Sequence, residues 1–177
     1  CNPAIVIDDL TFFTLNTHTT AAELPAMIAP LDEGHDMGLI SEAGCPAIAD
    51  PGADAVDMAR RHGHTIVPMV GPSSIILGLM ASGFNGQSFA FNGYLPIDKG
   101  ARAETLRRLE SRIRRERQTQ IFIETPYRNN KLIAELAASL PGSLRLAAAC
   151  DLTGPGADVR VMTLAEWGRA NYNLSLI

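Results

Sequence analysis

The sequence has no run approaching the roughly 18 unbroken apolar residues of a membrane-spanning helix, so no membrane segment is expected. Cysteine is scarce. Cys1, Cys45 and Cys150 lie far apart, with neither the paired spacing of a zinc site nor an even count for a disulfide frame. That usage predicts a reduced, cytoplasmic setting. His18, His35, His62 and His64 show no metal-ligand spacing, and no metal is expected. No glycine-rich run ends in Gly-Lys-Ser/Thr, and no Gly-x-Gly-x-x-Gly opens a helix, which excludes an obvious triphosphate or dinucleotide ligand.

Basic residues are nearly missing from the first half. Up to Gly83 there are ten acids and two arginines, Arg60 and Arg61; from Phe84 on there are nine acids and thirteen Lys/Arg. Most of that positive charge lies in one stretch: Lys99, Arg102, Arg107, Arg108, Arg112, Arg114, Arg115 and Arg117, against Glu104, Glu110 and Glu116. Such a stretch draws a polyanion such as RNA, or is a solvated helix face laced with i,i+4 ion pairs. What is present otherwise is ordinary for a packed protein: 177 residues, 46% hydrophobic and 19% charged, enough for one core or two small lobes.

Strand, loop and helix recur along the chain. Thr20-Ala21-Ala22-Glu23 is a capping box that predicts a helix over about 21–29. Met37 to Ile40 and Thr65 to Val67 read as strands, the first of them buried. A helix with Ala55, Val56, Met58 and Ala59 on its apolar side ends near Gly63, and another runs from Ile75 to Ala81 and closes at Gly83. Its Ile75, Ile76, Leu79 and Met80 are assigned to the core. In the second half, strands are expected at 88–91, 120–123, 144–149 and 159–162. Leu106, Leu109 and Ile113 place the arginine-rich segment on a helix. Thr125 as N-cap and Pro126 as first residue open a helix to about Leu140. Thr163 to Glu166 is a second capping box, with Trp167 in the core. The alternation implies an open, largely parallel α/β sheet with ligands at the carboxyl ends of strands. Gly83, Asn85 and Gly86 put a lobe boundary near Phe84 to Gln87, giving lobes of residues 1–84 and 85–177.

Two loops follow strands and feed helices, and so bring free amides and small side chains to the strand ends: Ser41 to Gly52, and Gly71 to Ser74. Ordinary turns use the same residues. Ser41-Glu42-Ala43-Gly44-Cys45-Pro46 through Asp50-Pro51-Gly52 resembles the S-[DE]-A-G-x-P-x-x-x-D-P-G signature of the tetrapyrrole-methylase superfamily. The resemblance is closest to the branch holding the bacterial ribosomal small-subunit RNA ribose methyltransferases. Gly71-Pro72-Ser73-Ser74 through Ala81-Ser82-Gly83 is similar to that branch's second signature. Phe91 to Pro96 matches F-x-G-[FY]-L-P, and Glu124-Thr125-Pro126-Tyr127-Arg128 matches E-[AT]-P-[HY]-R. The four motifs stand in family order over about 11–167.

The resemblance implies a class III methyltransferase fold of two αβα lobes, paired as a homodimer, with S-adenosylmethionine (SAM) in the cleft between lobes. It also implies that Ser41, Glu42, Ala43 and Gly44, with Gly71, Pro72, Ser73 and Ser74, contact the methionine part and ribose. Thr125, Tyr127 and Cys150 fall in segments that close over the adenine. Family members begin with a strand and a Pro/Gly-rich loop that has no counterpart here, so an N-terminal portion is expected to be missing and the C-terminus cut short. Where the RNA enzymes carry Arg-Glu-Leu-Thr-Lys, this chain has Ala149 to Gly154, which weighs against RNA ribose methylation.

A hydroxyl or protonated nitrogen acceptor needs a base. Glu124 is the first candidate, or an acid capping the helix that starts at Thr125. Arg128 holds an anionic acceptor or a salt bridge; Asp151 is a second base candidate or a turn residue. Cys45 has no neighbouring base and reads as small packing rather than a nucleophile. The expectation is a SAM-dependent methyltransferase acting on RNA ribose. The alternatives are a methylase of a tetrapyrrole-like small molecule and a non-catalytic SAM- or nucleotide-binding module.

Overall fold

The computed structural model describes residues 6–174 of the chain. The chain divides into two compact units, the first ending at Pro72 and the second beginning at Ser73. That division precedes the one expected from the glycines at 83–86.

The first unit is helical where it is regular. After a 3-10 turn at Ile7–Asp9 come α1 (Leu24–Asp32) and α2 (Ala53–Arg61). The bonds of the first capping box form, with Glu23 Oε2 accepting from Thr20 N at 2.7 Å and Thr20 Oγ1 at 2.6 Å. The helix nevertheless starts at Leu24 rather than Ala21. Pro25 explains the shift, because a helix already running at 21 would need the N–H that proline lacks, whereas the first turn does not. Both helices end in the same way. Gly34 (φ +90°) and Gly63 (φ +88°) adopt the left-handed conformation just past the last turn. At α1, Gly34 N donates to Leu31 O at 3.0 Å and His35 N to Pro30 O at 2.9 Å; at α2, Gly63 N donates to Arg60 O at 3.0 Å and His64 N to Ala59 O at 3.1 Å. These paired bonds are the Schellman closure. Leu24, Ile28 and Ala59 are buried.

The strands expected at 37–40 and 65–67 are not formed; among the described residues, every strand lies in the second unit. Ile40 is 79% exposed and Val67 69%. An apolar run supplies side chains for a strand, but backbone pairing needs a partner ladder, and neither segment has one.

In the second unit, α3 (Ser74–Ser82) ends at Gly83. Then β1 (Phe89–Tyr94), α4 (Lys99–Glu116) and β2 (Thr119–Ile123) form a parallel β-α-β crossover. α5 (Pro126–Ser139) leads to β3 (Arg145–Cys150), which pairs antiparallel with β4 (Asp158–Thr163); α6 (Leu164–Trp167) follows. The expected largely parallel sheet is corrected here to one parallel and one antiparallel pair. The loop 151–157 is too short for the crossover a parallel neighbour requires.

Asn92 and Gly93 mark a register shift in β1 between Phe91 and Tyr94. Gly93 has φ +63°. The Asn92 amide fills the gap by donating to Ala90 O and Ile121 O, each at 3.1 Å. The α3 stripe is only partly core: Ile75 is buried, whereas Ile76 and Met80 are exposed, because α3 packs one side against β3 and β4. Trp167 is fully buried, stands edge-on to Tyr172 at 5.0 Å and donates from Nε1 to Leu146 O at 3.0 Å. The second capping box forms completely. Trp167→Phe keeps an aromatic but leaves the Leu146 carbonyl unpaired, and is expected to cost about 1–2 kcal/mol in urea unfolding.

Candidate functional site

In the first unit, the turn from Ser41 to Gly52 carries most of the backbone irregularity. Gly44, Ala47, Ala49 and Gly52 all have positive φ, at 78°, 63°, 57° and 133°. Left-handed backbone is costly at the two alanines, since their Cβ crowds the carbonyl. Ser41 Oγ donates to Ala43 O at 2.8 Å and accepts from Ala43 N at 3.3 Å, which closes the start of the turn. Ala47 N donates to Pro51 O at 3.3 Å and closes its end. Glu42, Ala43 and Gly44 are left exposed.

Cys45 does more than the packing expected of it. Its Sγ lies 3.7 Å from Gly71 O and 3.4 Å from Pro72 O, within reach of a weak S–H donor. The two turns singled out in the sequence therefore meet within the first unit. A Cβ at Gly71 would lie 3.8 Å from that sulfur. Gly71 and Pro72 are exposed. Ser73 is buried and precedes α3 without a side-chain cap; Ser74 is exposed.

In the second unit, Glu124 directly follows β2. Its side chain is only 4% exposed. Oε1 accepts from Thr125 N at 2.9 Å and from Thr125 Oγ1 at 3.3 Å. Oε2 has no hydrogen-bond partner and faces Arg128 Nη2 at 3.2 Å, an ion pair without hydrogen-bond alignment. Thr125 takes the N-cap position of α5, but its side chain makes no cap bond. Tyr127 is 76% exposed.

Asp151 (φ +46°) accepts at Oδ2 from Gly156 N at 2.8 Å and at its carbonyl from Gly154 N at 2.8 Å. It thus organises the loop before β4. Burial pushes the Cys150 thiol up, as does the Asp158 carboxylate, which disfavours the thiolate. Glu124 and Cys150 both line a cavity of about 390 Å³, together with Phe122, Leu132 and Leu146; Arg128, Thr125, Tyr127 and Asp151 do not.

Arg102, counted with the surface charges in the sequence, is only 6% exposed. Its Nε and Nη2 donate to the two oxygens of Glu135 at 2.8 Å each, and Nη1 donates to Pro96 O and Ile97 O at 2.8 and 2.7 Å. Helical phase was the available signal, because Arg102 precedes Leu106 and Leu109 by four and seven residues on one face. The other arginines differ. Arg108, Arg112 and Arg115 are exposed at i, i+4, i+7, with no ion pair among the described residues, whereas Arg114 pairs with Glu110 at 3.4 Å.

No family model matches the chain. Individual proteins do. It is 34% identical over 154 residues to the ribosomal RNA small subunit methyltransferase I of Vibrio cholerae, covering 87% of this chain and 52% of that protein. The Mesorhizobium japonicum protein of the same name is 36% identical over 147 residues, covering 83% and 49%. The one from Escherichia coli O157:H7 is 33% identical over 141 residues, covering 80% and 48%. The chain spans about half the length of these curated relatives. Its α/β fold and four ordered motifs fit the tetrapyrrole-methylase superfamily, and the stretch matched is similar to about half of the ribosomal RNA small subunit methyltransferase I proteins.

Proposed function

We propose that the chain is part of a SAM-dependent methyltransferase whose acceptor is a ribose hydroxyl of RNA. The observation that carries this reading is the meeting of the two turns at Cys45, next to the exposed backbone of Ala43, Gly44 and Gly71. Small residues let a nucleoside approach the main chain closely. Ser41, Glu42, Ala43, Gly44, Gly71 and Pro72, with Ser73 and Ser74 next in sequence, are the residues assigned to the cofactor. Thr125, Tyr127 and Cys150 are assigned to its adenine side. The bound cofactor would supply a methyl group on a sulfonium, so the protein's own contribution is alignment and proton removal.

Glu124 is the proposed base: an oxygen of its carboxylate would take the proton of the acceptor hydroxyl, and the bound cofactor would supply the methyl group that replaces that proton on the oxygen. Arg128, beside that carboxylate, is assigned to an anionic acceptor group, and Asp151 to shaping the neighbouring loop. Residues 1–84 and 85–177 remain the proposed functional lobes, and a cytoplasmic homodimer the proposed assembly. Among the described residues no helix is long and apolar enough to cross a membrane.

RNA as acceptor is supported by the relatives' names and by the exposed Arg108, Arg112 and Arg115. Replacing all three with glutamine should weaken RNA binding and flatten its salt dependence by about 2 in log–log slope, at about 0.7 per lost phosphate contact. Incubating the protein with labelled SAM and either cell RNA or a small-molecule extract tests the whole reading. Label in RNA supports it; label confined to small molecules, or no transfer, overturns it.

A further inference from the structure

The histidine spacing along the chain predicts no metal set, yet the fold of the first unit assembles one. We propose that Asp32, His62 and His64 form a binding site for a divalent transition cation of the zinc type, fastening the ends of α1 and α2. Asp32 is the last residue of α1; His62 and His64 flank Gly63 just beyond α2. The left-handed turn at Gly63 and its Schellman bonds turn both imidazoles toward the same carboxylate.

His62 Nδ1 lies 3.1 Å from Asp32 Oδ2, and His64 Nε2 lies 2.7 Å from Asp32 Oδ1. One donor atom from each residue falls within 4.8 Å of the other two. Zinc bonds of about 2.0–2.2 Å set tetrahedral ligand–ligand edges of about 3.4 Å. Opening the two Asp32 contacts by roughly half an ångström, and setting the two ring nitrogens, now within 4.8 Å of each other, at the same tetrahedral edge, would seat the ion.

Three further features favour a cation. Two imidazole nitrogens and one carboxylate oxygen are a donor set suited to zinc and its neighbours, and not to magnesium. Asp32 sits at a helix C-terminus, where an acid opposes the helix dipole, and the end of α2 turns its own negative pole to the same place. The three side chains are 47%, 41% and 23% exposed, so an ion can enter from solvent and complete its coordination with water.

The test is calorimetric titration of the chelator-treated chain with zinc chloride, with cobalt(II) chloride as a spectroscopic probe. One saturable zinc per chain is expected, with a thermal midpoint that rises with zinc concentration and no response to magnesium chloride. His64→Ala and Asp32→Asn should each weaken zinc binding by at least about 100-fold, beyond what loss of an outer-shell partner costs. His18→Ala should leave binding unchanged. The cobalt visible bands should collapse in both ligand variants while circular dichroism shows their helices intact. Absence of saturable zinc binding, or equal affinity in Asp32→Asn and the parent chain, would mean the cluster is an ion pair only and overturn the proposal.

Discussion

Arg102→Ala is expected to lower the unfolding free energy by about 3 kcal/mol in urea titrations, whereas Arg112→Ala, on the same helix, should change it by less than about 0.5 kcal/mol. The contrast comes from burial and bonding. Arg102 is buried and spends three of its nitrogens on the Glu135 carboxylate and two carbonyls; Arg112 is exposed. Truncation leaves the Pro96 and Ile97 carbonyls and a carboxylate only 28% exposed without their donor. Lysine is not an adequate replacement, since it lacks the planar fork that serves both oxygens.

The same pair predicts a pH dependence. Hydrogen bonding from Arg102 holds the Glu135 carboxyl below its ordinary range. Because the folded state has the more acidic carboxyl, its contribution is complete above the unfolded value of about 4.3. It is lost as pH falls through the lower folded value. The stability gap between parent and Arg102→Ala should therefore be constant near neutrality and narrow in acid.

Glu124→Gln is expected to cut methyl transfer by about 100- to 10,000-fold, with SAM affinity changed far less. Glutamine can still accept from Thr125 through its oxygen. Its amide, however, would place donor against donor at Arg128, adding about 1–2 kcal/mol of instability. Assays well below the melting temperature separate the two effects. Loss of turnover in a folded variant that binds SAM identifies the base. Retained turnover would reduce Glu124 to its observed work, anchoring the start of α5 and pairing with Arg128.

The element boundaries of the second unit were legible in the sequence because their signals are local, whereas the antiparallel pairing of β3 with β4 was not. Pro126 after Thr125 set the start of α5, Gly83 closed α3, and the Thr163–Glu166 box opened α6. The first unit was less so. Apolar runs at 37–40 and 65–67 carry the pattern of strands, but a strand is a property of two segments, and one segment's sequence cannot supply its neighbour. Pro25 displaced α1 by a rule that could have been applied. The left-handed Ala47 and Ala49 gave no warning, since nothing about alanine favours that backbone. Of the site, the two turns were legible as motifs. Their junction through Cys45 and the convergence of Asp32 with His62 and His64 depend on contacts across 26 to 32 positions.

Titration of the chain with SAM in a calorimeter tests the central claim most directly, that the turns 41–52 and 71–72 hold this nucleoside. Saturable binding of one SAM per chain is expected. Affinity at least about tenfold weaker, or about 1.4 kcal/mol, is expected in Gly44→Val, whose β-branched side chain cannot hold the φ of +78° found there. No saturable heat, or undiminished binding by Gly44→Val, would contradict it.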